Sequence, residues 1–190
     1  MHSPPGPPTP DSWLLPLFFG ANAALTAWLI HALGVRDPLY HSFPWIFGAA
    51  FVGSLIPSAR RLMTAGPLVY RLVPAGVYAL VITLASSGNP SPSTSVTSKI
   101  FHPVEYAGLA FLAQLAAHGG AAARPRGRRI IWVLLACVAV GAADELHQYF
   151  VPNRTSALRD VGLDALGAAA GTLVYLATHA LVIRLSPRSR

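Results

Sequence analysis

Charge of either sign is scarce in this chain, and negative charge most of all. Only 11% of the 190 residues are charged, and just seven are acidic. With 53% hydrophobic residues, that shortage excludes an ordinary soluble domain. Cysteine is nearly absent too. The single thiol, Cys137, forbids an intrachain disulfide and, inside an apolar run, reads as a small buried hydrophobe. There is no Cys–His spacing suited to structural zinc, no His-Glu-x-x-His, and no serine or cysteine nucleophile in a recognised context. No repeat period stands out. The net charge of +7 could suggest a nucleic-acid partner, but the basic residues occupy short loops between apolar runs. That is the pattern of a membrane protein, and no nucleic acid is expected.

What the chain has in abundance is apolar runs. Residues 1–12 are Pro-rich without Lys or Arg and read as a disordered tail. Spans of bilayer length follow at 13–33, 38–57, 68–87, 99–118, 130–150 and 158–185. Ala21-Asn22-Ala23 has the small-x-small form of a signal cleavage site. The charged leading segment is missing and the run continues past it, so this first span reads as retained. The second is interrupted by His41, Pro44 and Gly48 and has a re-entrant loop as its alternative. Between the third and fourth spans, 86–98 reads as a flexible Ser/Pro/Gly loop. The expected fold class is all-α, a polytopic membrane helical bundle of about six transmembrane helices. It divides into the tail (1–12), two N-terminal spans (13–66), a four-helix membrane domain (67–185) and a basic cytoplasmic tail (186–190).

Counting basic residues by side orients the bundle. Arg60, Arg61, Arg71, Arg124, Arg126, Arg128, Arg129, Arg184, Arg188 and Arg190 fall on one side, against Arg36, Lys99, Arg154 and Arg159 on the other. The bias puts both termini in the cytoplasm.

The stretch 141–173 holds four of the seven acidic residues within runs otherwise apolar enough for a bilayer. Ionisable residues in such spans are expensive and point to function. Asp144, His147 and Gln148 share a helical face, with Glu145 about 100° away. On the next helix Asp160, Asp164, Gly167 and Gly171 form one stripe, and the small-xxx-small pair Gly167/Gly171 suits close packing, expected against the preceding helix. Asp160 and Asp164 would then face Asp144 and His147. Lys99, His102, Glu105 and Tyr106 crowd one face of the fourth span. The orientation brings all three clusters to the outer leaflet, with Arg154 expected to fold back to within salt-bridge distance of Asp144 or Asp160.

The string DELHQYFVPNRTSALRDVGLDALGAAAG resembles the signature of the VanZ-like membrane protein family, with an Asp-Glu-x-x-Gln helix end, a Phe-x-Pro-x-Arg turn and a downstream Gly-x-x-x-Gly helix. KIFHPVEYAGLAFL resembles that family's earlier Lys-x-x-His-x-x-x-Tyr helix. The likeness covers roughly 70–183, and Asn153 stands where a glycine is common. The resemblance implies a link to low-level teicoplanin resistance, and no mechanism comes with it.

Three functions stay open. In the first, the protein binds an anionic lipid-linked envelope precursor, or membrane lipid, in a bacterial plasma membrane, through Lys99, His102, Glu105, Tyr106, Gln148 and Arg154. In the second it is a membrane-embedded hydrolase or transferase, with Asp144, Glu145, His147, Asp160 and Asp164 as catalytic candidates or as ligands for a divalent cation. The third is a proton-coupled transporter. No cofactor or resident metal is expected, and the oligomeric state is open.

Overall fold

The computed structural model describes residues 13–32, 34, 38–87, 95–152 and 156–186, with backbone alone for 38–40 and 95–101. The expected tail at 1–12 lies outside the described residues. Eight helices and no strand account for the fold among the described residues: α1 (Leu14–Ala32), α2 (Pro38–Leu55), α3 (Pro57–Ala65), α4 (Leu68–Arg71), α5 (Val73–Ser87), α6 (Ser95–His118), α7 (Gly127–Tyr149) and α8 (Leu158–Leu185).

Local chemistry sets the breaks. Pro57 starts α3 at its first turn, where a missing N–H costs nothing, and the chain bends by 94° between α2 and α3. The second apolar run is thus an apolar arm followed by a short arm carrying Arg60 and Arg61. Leu72 separates α4 from α5 one residue after Arg71. The expected loop at 86–98 is shorter than its composition suggests: Ser86 and Ser87 close α5, and α6 has already begun at Ser95. The Ser87 hydroxyl donates back to the Thr83 carbonyl at 2.8 Å, a bond that lets serine end a helix rather than unravel it.

Three helices, α1, α7 and α8, are long and apolar enough to cross a membrane, and counting the bent pair as one span gives up to four. α5, at 15 residues, rises only about 22 Å, short of a ~30 Å hydrocarbon core. α6 is long enough but shares its apolar residues with His102, Glu105, Gln114 and His118.

α6 nevertheless occupies the centre. Tyr106, Leu109, Ala110, Phe111, Leu112, Leu115 and Ala116 are all buried on it. Aromatic contacts fasten the N-terminal helices to this core: Phe18 of α1 stacks on Phe111 of α6 at 5.9 Å, and Phe47 of α2 lies 5.6 Å from Tyr78 of α5.

The closest packing is between α6 and α8. A Cβ on Gly167 would collide with the Pro103 carbonyl, and one on Gly171 with that of Ala107. The glycine stripe therefore seats α8 on α6, not on α7 as its place in the chain suggests. The backbones approach to the distance of Cα–H···O contacts, which only a missing side chain permits. Gly167→Ala and Gly171→Ala should each destabilise the protein by about 1–3 kcal/mol through overpacking. Gly162→Ala, where a Cβ meets nothing within 4 Å, should be neutral or gain about 0.5–1 kcal/mol. Reversible unfolding in detergent measures the difference, and equal behaviour of the three variants would refute the seating.

Candidate functional site

The carboxylates gather where α5 and α7 stop and α6 and α8 start. Gly141, Asp144, Glu145 and Gln148 are the buried residues on the last turns of α7, spaced as one helical stripe. His147, expected on that face, is exposed instead and meets Ser87 Oγ through Nε2 at 3.0 Å. Glu145 is buried despite its angle because α8 begins over it. Its Oε2 accepts from the backbone N–H of Ala157, the N-cap residue of α8, at 2.8 Å. The carboxylate satisfies a free donor and faces the positive end of the α8 dipole.

Asp144 is held from both sides. Ser86 donates to Oδ1 at 2.5 Å and Gln148 Nε2 donates to Oδ2 at 2.8 Å. Its partner helix is thus α5. Asp164 is fully buried at 0% exposure and takes its contact from α6, with His102 Nδ1 3.2 Å from Oδ1. Its other oxygen, Oδ2, turns toward α7, where a Cβ on Gly141 would come within 2.8 Å. Among the described residues Oδ2 has no hydrogen-bond partner, and neither do Glu145 Oε1 or the hydroxyl of Tyr106, one turn along α6 from His102. Asp160 is buried one turn before Asp164, Glu105 is half-buried, and neither is without a partner.

The structure therefore joins the α6 and α8 clusters directly, through His102 and Asp164. α7 joins them through Gly141 and Glu145. The expected facing of Asp164 onto Asp144 and His147 is replaced, in direct contacts, by Asp164 on His102 and Asp144 on Ser86. The cause is the glycine stripe, which turns α8 toward α6. Arg154 lies outside the described residues, and so does the side chain of Lys99. Sequence reading missed three participants: Ser86, Ser87 and Gly141. Ser86 and Ser87 continue the spacing from Thr83 at the end of an apolar helix, and Gly141 sits three residues before Asp144. Among the described residues no three His, Cys, Asp or Glu side chains converge as a metal site.

A family model, VanZ/LLP1, matches residues 40–182. The chain belongs to the VanZ/LLP1 family. The match takes in α2 and α3 as well as the helices that carry the site, and with the apolar helices it marks a membrane protein. Neither a curated protein nor a solved structure matches the chain.

Ser86→Ala should leave a buried oxygen of Asp144 without its donor and cost about 1–3 kcal/mol. Ser87→Ala, on the exposed flank, should stay within about 0.5 kcal/mol of wild type. Denaturant titrations of the two variants check the ranking.

Proposed function

We propose that this VanZ/LLP1 protein binds an anionic, lipid-linked cell-envelope molecule at the carboxylate-rich end of its bundle, facing the outer leaflet of a bacterial plasma membrane. The observation that carries the reading is the convergence of His102, Tyr106, Glu145 and Asp164 with three buried oxygens left unpartnered. Buried polar atoms are rarely left so, and each such group costs about 1–3 kcal/mol. Carboxylate oxygens accept hydrogen bonds, so the part of the ligand they suit bears hydroxyl, amide or ammonium donors. The phosphates of such a ligand fall to Lys99 and Arg154 in this reading, as bases flanking the same end in the sequence. Envelope precursors combine both chemistries, and the implied link to teicoplanin resistance fits, since glycopeptides act on such precursors outside the membrane.

The His102–Asp164 pair favours a second reading, in which the same cluster performs acid–base chemistry on the bound molecule. A histidine oriented by a carboxylate is the arrangement that general acid–base catalysis uses. Asp164→Asn keeps the shape and removes the charge. In a glycopeptide-sensitive bacterium the wild-type gene should raise the teicoplanin concentration needed to stop growth several-fold. Asp164→Asn should bring it back to the vector level at equal membrane abundance. Resistance unchanged by the substitution would sink both readings. Turnover of a polyprenyl-pyrophosphate-linked saccharide by the purified protein would favour the second over the first.

The topology proposed with it is six membrane passages with both termini cytoplasmic. Cys137 is buried at 3% exposure, so the native thiol gives little background to labelling. A cysteine introduced between α5 and α6 should react with an impermeant reagent from outside the cell, and one at Ala123 should not. The reverse pattern would place the carboxylate site on the cytoplasmic face.

A further inference from the structure

The opposite end of the bundle carries a second feature that the carboxylate site does not use. A pocket there lies between α1, α3, α4 and the end of α6, and its walls include Leu14, Leu15, Met63, Leu112 and Leu115. Into this apolar lining projects the half-buried Arg71, at the end of α4. Its Nε is buried with no hydrogen-bond partner, and no carboxylate of the described residues lies within salt-bridge distance of it.

A guanidinium cannot shed its charge at any ordinary pH, so it must be compensated where it stands. The fold has made room for it. Gly119, with φ +82°, closes α6, and a Cβ there would fall 2.6 Å from Arg71 Nη1. The Leu115 carbonyl at this helix end is already taken by the N–H groups of Gly119 and Gly120, at 2.9 and 2.8 Å. The helix end thus supplies negative dipole but no acceptor bond from Leu115. Nor do the described residues offer an anion here: Arg60, Arg61, Arg126, Arg128 and Arg129 crowd this end, while every described acid, from Glu105 to Asp164, lies toward the other.

We infer that Arg71 holds a phosphate group at the mouth of this pocket. The guanidinium fork matches two phosphate oxygens. Because the enclosed space, about 10 Å³, holds no more than a water, the headgroup sits at the mouth, with the hydrocarbon of a phospholipid against the exposed edges of the leucine and methionine walls. Along α6 the pocket residues Leu112 and Leu115 lie about 15 and 20 Å from His102, at 1.5 Å per residue, so the site is separate from the carboxylate site. Arg60 is engaged elsewhere, 4.9 Å above the Trp13 ring, so Arg71 is the cation that faces the pocket.

Native mass spectrometry and thermal unfolding of the purified full-length protein test this. The probes are phosphatidylglycerol, phosphatidylcholine and inorganic phosphate, and the chains are wild type, Arg71→Gln and Arg128→Gln. Arg128 is exposed at the same end and does not line the pocket. Wild type and Arg128→Gln should retain phospholipid through delipidation and unfold at a higher temperature with it, while Arg71→Gln should retain at least ten-fold less. Protection by inorganic phosphate alone, lost in Arg71→Gln, would identify a free phosphate rather than a lipid as the source. If Arg71→Gln does not fold, Arg71→Lys carries the test, since it keeps the charge without the fork and should weaken retention several-fold. Equal retention and equal thermal response across wild type and the Arg71 variants, with every probe, would overturn the site.

Discussion

The backbone approach of α8 onto α6 is the constraint on which the site depends. Gly167 and Gly171 meet the carbonyls of Pro103 and Ala107 with no side chain between them. Asp164 lies three residues before Gly167, and His102 one residue before Pro103. The same contact that seats the helices therefore brings this carboxylate to this imidazole. At 3.2 Å the pair is already long for a hydrogen bond. A separation of ~0.5 Å would take it past the distance at which one persists. Packing and chemistry are one constraint here, and glycine is its agent.

The other carboxylates show how a bundle accommodates charge it cannot easily expose. An isolated charge in hydrocarbon costs on the order of 2.5–3.5 kcal/mol at mid-membrane depth and less near the interface. Asp144, Glu145 and Asp164 are each given a donor from a different part of the chain. Asp144 takes one from α5 and one from its own helix, Glu145 takes the start of α8, and Asp164 takes α6. The donors offset desolvation and at the same time tie four helices at one end. These acids are structural whatever else they do, so the oxygens left over are the more informative ones. Asp164 Oδ2 and Glu145 Oε1 add nothing to the ties.

Much of this was legible in the residues. The all-helical class, the membrane character and the gathering of Asp144, Glu145, Asp160, Asp164 and His102 at one end followed from apolar runs and helical spacing, and the family from the resemblance of two motif-bearing strings. Orientation about each helix axis was harder. Spacing says which residues share a face, but not which neighbour that face meets. The glycine stripe was recognised and assigned to the wrong helix, and His147 was turned inward when it lies outward. Composition also misled at Ser86 and Ser87, because serines that end a helix by bonding to its last carbonyls look the same in sequence as serines in a loop.

The central helix explains why span counting is difficult for this chain. On α6, His102, Tyr106, Gln114 and His118 recur at multiples of four residues, a stripe that winds about 160° around the helix, and all four are buried. Neighbouring helices meet several of their polar groups. Asp164 takes His102, and Gln114 Nε2 donates to Thr172 at 3.2 Å. His118 Nε2 accepts from the Arg126 N–H at 3.1 Å, so its Nδ1 carries the proton given to the Gln114 carbonyl at 3.0 Å, and its ring stacks on Tyr175. Such a helix scores poorly on hydropathy because its polar groups are counted as though lipid had to receive them. Inside the bundle, protein receives them, as it does for polar side chains that face the interior of a membrane bundle. A hydropathy window measures what a helix would show to lipid, and α6 shows lipid the least.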